Sequence, residues 1–309
     1  MVKTALLFAG QGAQVVGMGS DLAKSHPAAK ALFTQADETL GYGLSRICFS
    51  GPEEELVRTE HAQPAIYLVG WVALQLLREQ VPSLSFDATA GLSLGEFTAL
   101  AAADALGFED GLRVVRRRGQ LMQEACEASG GGMAAIVGLD EEAVRTVCNE
   151  TGVSLANLNC PGQIVVSGDA DKMDVACDAA KAAGAKRAIP LPVAGAYHSP
   201  LMQPAQAGLD EALAKVELRE PSVPVYSNVT GQVHADAGTI TAAMVEQVTS
   251  PVKWEACIRA MIAAGITRFI ELGPGTALSG FMRRIDRGIE MLNVGDCESL
   301  AKAAELLNA

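Results

Sequence analysis

Gly91-Leu92-Ser93-Leu94-Gly95 fits Gly-x-Ser-x-Gly, the sharp strand-to-helix turn that exposes a serine nucleophile. The flanks suit it. Residues 85–90 can form a short strand, and Phe97 to Ala103 is rich in strong helix formers. Such a turn puts backbone N–H groups at a helix N-terminus, where they can hold a developing oxyanion. A serine of this kind needs a base. The chain holds four histidines: His26, His61, His198 and His234. His198 is the best placed, because it lies between Gly195 and Pro200 where the chain re-enters its larger unit. Arg118 is the third group of interest. Its helical neighbours Val114, Val115, Leu121 and Met122 are all apolar, so its charge faces the core. A buried cation needs a partner. That partner is either a structural Asp or Glu, or the carboxylate of a ligand. Gln11, in the turn Gly10-Gln11-Gly12, could direct its amide into the same site.

These residues need a scaffold. Thr4 to Ala9 is a continuous apolar run, as expected of a buried parallel strand. The glycines that follow are not a dinucleotide fingerprint, since Val15 occupies the third small position. Residues 21–80 read as helical, with Gln63-Pro64-Ala65 opening a long apolar helix. Phe108 to Ala128 has helical spacing, and Ser129-Gly130-Gly131-Gly132 reads as a hinge. Beyond it the pattern is β-α-β-β-α-β, the ferredoxin-like arrangement, returning through residues 190–195. The expected organisation is therefore a large α/β unit from 1–128 and 196–309, with a mostly parallel sheet covered on both faces. A small ferredoxin-like subdomain, 129–195, is inserted into it.

Composition narrows the function classes. With 309 residues and 49% hydrophobic content, a substantial core is available. A net charge of −12 argues against general nucleic-acid binding and against adhesion to an anionic membrane. No apolar run reaches the ~18 residues of a membrane span. Seven cysteines without Cys-x-x-Cys read as reduced and mostly buried, in a cytoplasmic setting. The histidines form no ligand cluster, so no metal site is expected.

Seven segments in order carry a resemblance to a known family. They are residues 8–14 (Phe8 to Gln14), 91–96 (Gly91 to Glu96), 118–123 (Arg118 to Gln123), 159–163 (Asn159 to Gln163), 195–198 (Gly195 to His198), 250–254 (Ser250 to Trp254) and 271–275 (Glu271 to Gly275). Over nearly its full length the chain resembles the malonyl-CoA:acyl carrier protein transacylases, within the acyltransferase family of fatty acid and polyketide synthesis. The resemblance implies a hydrolase-like α/β fold with an inserted ferredoxin-like subdomain. It implies Ser93 as the acylated nucleophile and His198 as its base. Gln11 and the Leu94 backbone N–H would form the oxyanion hole, and Arg118 would pair bidentately with the malonyl carboxylate. The Gln247 backbone carbonyl would hold the His198 ring, and Asn159 would line the cleft. It implies no cofactor, malonyl-CoA and acyl carrier protein as partners, and a cytoplasmic monomer. Leu92 departs from the His that many members carry before the serine. Leu94 and Tyr197 favour malonyl over methylmalonyl. Arg116, Arg117, Lys186, Arg187, Arg283 and Arg284 are candidates for a basic patch that steers the acidic carrier. Two other readings stay open: a serine thioesterase or esterase, and a non-catalytic module that binds a carrier protein or an acyl-CoA.

Overall fold

The computed structural model describes residues 2–193 and 195–309. Ala194, in the expected return passage, lies outside the described residues. Among the described residues nine strands form: β1 (Thr4–Phe8), β2 (Ala88–Gly91), β3 (Gly131–Val137), β4 (Ser154–Cys160), β5 (Gln163–Asp169), β6 (Arg187–Pro190), β7 (Val225–Tyr226), β8 (Arg268–Leu272) and β9 (Glu290–Val294). Five of them make a parallel sheet in the order β7-β2-β1-β8-β9. Every residue of β1 and β2 is buried, as befits strands covered on both faces. Alternate residues of β1 supply the two cores. Leu6 and Phe8 pack under Thr59–Gln80 and Gly95–Ala102, while Ala5 and Leu7 pack with Trp254, Ile258 and Met282 on the opposite face.

The other four strands form an antiparallel sheet in the order β4-β5-β3-β6, with its own core of Ala134, Ile136, Val144, Val147, Ile164 and Val166. In ferredoxin-like terms this is the order second, third, first, fourth, and two helices (Glu141–Thr151 and Met173–Ala182) connect it. The chain leaves and re-enters the larger unit at one crowded point. A Cβ on Gly131 would sit 2.5 Å from that of Ala196, so only glycine lets the outgoing strand pass the returning one.

The two sheets are tied together. The Val252 N–H donates to Ala156 O and its carbonyl accepts from Leu158 N–H, so β4 gains a short parallel partner from the larger unit. Arg284 reaches from Ala277–Ile285 to the β4–β5 turn, donating to Gln163 Oε1 at 2.8 Å and Pro161 O at 2.9 Å. Arg116 is also committed, lying over the Tyr42 ring and donating to Leu40 O. Arg117 pairs loosely with Glu124 at 3.6 Å. These contacts take up part of the basic set read from the sequence.

Some elements differ from expectation. The long apolar helix begins at Thr59 rather than at Gln63, with Pro64 inside it. Pro64 has no N–H to donate to the carbonyl four residues back, a single lost bond that a deeply buried helix absorbs. β7 is only two residues long, Val225–Tyr226. β9 and the final helix, Cys297–Asn308, were not anticipated.

Candidate active site

The elbow depends on two glycines. A Cβ on Gly91 would collide with the Gly95 backbone, and a Cβ on Gly95 would collide with Phe8 O at the end of β1. Their absence lets Gly95–Ala102 start directly behind β2. Ser93 sits at the apex with a φ of 53°, in the left-handed region that costs a non-glycine residue strain. Its N–H donates to Asn228 Oδ1 at 2.6 Å, and Asn228 Nδ2 donates to Gly91 O at 2.8 Å. One side chain from the β7 edge thus holds both sides of the turn.

The Ser93 Oγ lies 2.9 Å from Nε2 of His198. His198 also has a positive φ, 58°, and its Nδ1 lies 2.8 Å from Gln247 O. A carbonyl can only accept, so Nδ1 carries the proton and Nε2 presents its lone pair to the serine hydroxyl. The base is oriented by a backbone carbonyl and no carboxylate. Burial, then the nearby Arg118 charge, pushes the imidazole pKa down to about 4, against the hydrogen bonds to the Gln247 and Ser250 backbone. His198 is therefore neutral and ready to accept a proton across the physiological range.

Arg118 completes the centre. It is 1% exposed, and it makes no ion pair with an Asp or Glu among the described residues. Its Nη1 donates to Gln63 Oε1 at 2.6 Å, and its Nη2 donates to Gln247 Oε1 at 2.9 Å and to Ser93 Oγ at 3.1 Å. Nε is buried without a partner. Burial lowers its pKa to about 10, which leaves it charged at neutral pH. The result is a buried guanidinium, paired only with neutral oxygens, beside a serine activated by a histidine. Such a centre suits acyl transfer of a group that bears its own carboxylate.

Comparison with known proteins agrees with this geometry. The model of the acyl transferase domain matches residues 5–302. The chain belongs to that family. It is 46% identical to the malonyl CoA-acyl carrier protein transacylase of Bacillus subtilis, over 99% of this chain and 98% of the relative. Among solved structures, an acyl-carrier-protein-S-malonyltransferase from Bartonella henselae superposes with a TM-score of 0.95 at 37% identity, covering all of both chains. A type II PKS acyl-carrier protein in complex with its malonyl-transacylase gives the same TM-score at 38% identity, covering 98% of this chain and 99% of that one. The hydrolase-like fold with a ferredoxin-like sheet is thus the fold of this acyl transferase family.

The acyl transferase site brings together Ser93, His198, Arg118 and Gln247, and places Leu94 directly after the nucleophile. The Gln11 amide is held by two side chains: Nε2 donates to Thr59 Oγ1 at 3.1 Å and to the Tyr197 hydroxyl at 3.4 Å. Its backbone N–H, like that of Leu94, has no hydrogen-bond acceptor among the described residues. Asn159 is buried on β4, and no hydrogen bond links it to Ser93, His198 or Arg118; its Oδ1 is unpartnered. The remaining histidines are used elsewhere or lie apart. His61 Nδ1 bonds Glu55 O, and His26 sits at the N-cap position of Pro27–Leu40 without a side-chain capping bond. Sequence reasoning gave no role to Gln63, Glu96 or Asn228, and weighed His234 only as a candidate base. The one available signal was Glu96, a carboxylate at the start of an otherwise apolar helix.

Proposed function

We propose that the protein moves a malonyl group from malonyl-CoA to the phosphopantetheine thiol of an acyl carrier protein, through an acyl-enzyme on Ser93. The observation that carries this reading is the buried Arg118 guanidinium, 3.1 Å from Ser93 Oγ and without an acid partner. A malonyl carboxylate stands one methylene from the reacting carbonyl, the reach this spacing calls for. Bidentate pairing uses the planar fork of arginine.

His198 Nε2 takes the serine proton as Oγ attacks the thioester carbonyl. The oxyanion is held by the backbone N–H groups of Gln11 and Leu94. Collapse breaks the C–S bond, and the CoA thiolate leaves with the proton from His198. The carrier's thiol then repeats the steps in reverse and frees Ser93. The acyl group passes between thiols and a serine, so the reaction as proposed uses no metal or cofactor. A relative in complex with its carrier protein supports the acceptor. The seven cysteines are all unpaired, in keeping with a cytoplasmic enzyme, and no helix among the described residues is long and apolar enough to cross a membrane. A thioesterase is disfavoured, because the His198 ring lacks an orienting acid and a hydrolase gains nothing from Arg118. Intact-mass spectrometry tests the reading. Malonyl-CoA should add one malonyl mass to the protein, and holo carrier protein should remove it. Loss of the label to water at the same rate without carrier would instead support hydrolysis.

Two further outcomes are expected. Gln11→Ala keeps the backbone N–H, so it should slow acylation by less than about tenfold; a loss of roughly 10²–10³, the usual cost of a lost oxyanion donor, would put the side-chain amide in the hole. The acylation kcat/KM should hold level as pH falls from 8 to about 5, because His198 stays unprotonated until about 4. A decline centred near 6.5, the ordinary imidazole value, would show that burial and Arg118 do not depress the base.

A further inference from the structure

Glu96 lies three residues after the nucleophile, in the first turn of Gly95–Ala102, and is 1% exposed. A carboxylate buried so deeply is costly unless both oxygens are engaged. Here Oε1 accepts from His234 Nε2 at 2.7 Å, and Oε2 accepts from Gln247 Nε2 at 2.6 Å and from the Asn228 N–H at 3.1 Å. The His234 side chain is as enclosed, at 2% exposure. The steps above use neither residue.

Their common neighbour is the Gln247 amide, which faces two ways. Nε2 donates to Glu96 and to Ser93 O at 3.1 Å, while Oε1 accepts from Arg118 Nη2 at 2.9 Å. Turned over, the amide would set its NH₂ against the guanidinium, donor to donor, and its oxygen against a carboxylate. Glu96 can only accept, so it enforces one orientation. His234 occupies Oε1 and keeps the carboxylate from rotating away from Gln247.

We propose that Glu96 and His234 form a buried positioning pair that fixes the Gln247 amide and, through it, aims Arg118 at the carboxylate of the acyl group. The proposal rests on the reading of Arg118 given above. Neither member touches substrate. Asn228 links the same carboxylate to the Ser93 turn, so one acid holds both the nucleophile's backbone and the cation beside it.

Three variants test this: Glu96→Ala, Glu96→Gln and His234→Ala. Glutamine at 96 can keep its carbonyl toward Gln247 and Asn228 and turn its NH₂ to His234, provided His234 moves its proton from Nε2 to Nδ1. Glu96→Ala should raise the KM for malonyl-CoA by about tenfold or more, with a smaller loss in kcat. Glu96→Gln should recover to within about threefold of the native protein, and His234→Ala should fall between them. Imidazole ¹⁵N spectra should show a protonated His234 Nε2 in the native protein and an unprotonated one in Glu96→Gln. The pair is refuted by a native malonyl KM in Glu96→Ala. It is equally refuted if both Glu96 variants lose malonyl and acetyl transfer by one factor with one fall in melting temperature, or if Nε2 keeps its proton in Glu96→Gln. Should the native protein take up no malonyl at all, the reading of Arg118 fails, and the spectra still decide the pair.

Discussion

Ser93→Ala should take up no malonyl from malonyl-CoA and lose turnover by at least about 10⁴-fold, as in other enzymes deprived of a serine nucleophile. The variant should fold normally, because the turn is held by backbone and by Asn228, not by the hydroxyl. Ser93 N–H still donates to Asn228 Oδ1, and Gln247 Nε2 still donates to Ser93 O. Only two contacts vanish, those from Oγ to His198 Nε2 and to Arg118 Nη2. The side reaction most worth excluding is acylation of a thiol. Burial raises the pKa of Cys126 to about 11, and Cys126 packs behind Gly195 near the site. Its thiol is inert by this measure. Intact-mass spectrometry followed by peptide mapping separates the cases. Label that persists in Ser93→Ala, or that maps to a cysteine, removes the acyl-enzyme from the mechanism.

The parts of this site that were legible in the sequence are those that depend on local chain. Gly91 and Gly95 announce the elbow because a tight turn needs bare backbone within five residues. Arg118 reveals its burial through neighbours one helical turn away. His198 stands out because it follows the glycines and prolines of a re-entry point. What stayed hidden depends on distant chain. The direction of the Gln11 amide is set by Tyr197, 186 residues on, whose hydroxyl receives it. The Glu96 network joins residues from the elbow helix, the loop after β7 and the end of Ala237–Glu246, and no spacing rule connects them. β9 was missed for a related reason. It is an edge strand with exposed, half-buried and buried positions mixed over five residues, so it lacks the continuous apolar run that marks β1.

Arg118→Ala should cut malonyl-CoA turnover, as kcat/KM, by roughly 30- to 1000-fold or more, while transfer from acetyl-CoA stays level or rises. The magnitude follows from losing one partner of a buried charge pair, about 2–5 kcal/mol, at about tenfold per 1.4 kcal/mol. The direction for acetyl follows from the site itself. Arg118 donates to Ser93 Oγ, which draws electron density from the nucleophile. A malonyl carboxylate can take over that guanidinium; an acetyl group cannot, and must react beside a cation with no counter-charge. Removing the cation relieves acetyl and deprives malonyl. Some stability should be lost in either case, because Gln63 Oε1 and Gln247 Oε1 each lose a donor in a buried setting. Melting temperature alone is therefore no guide, and the ratio of the two substrates is the measurement that matters. A purely structural Arg118 would slow both substrates by one factor, and the ratio would not move. That result would leave the buried guanidinium without its ligand and would withdraw the main support for malonyl as the group transferred.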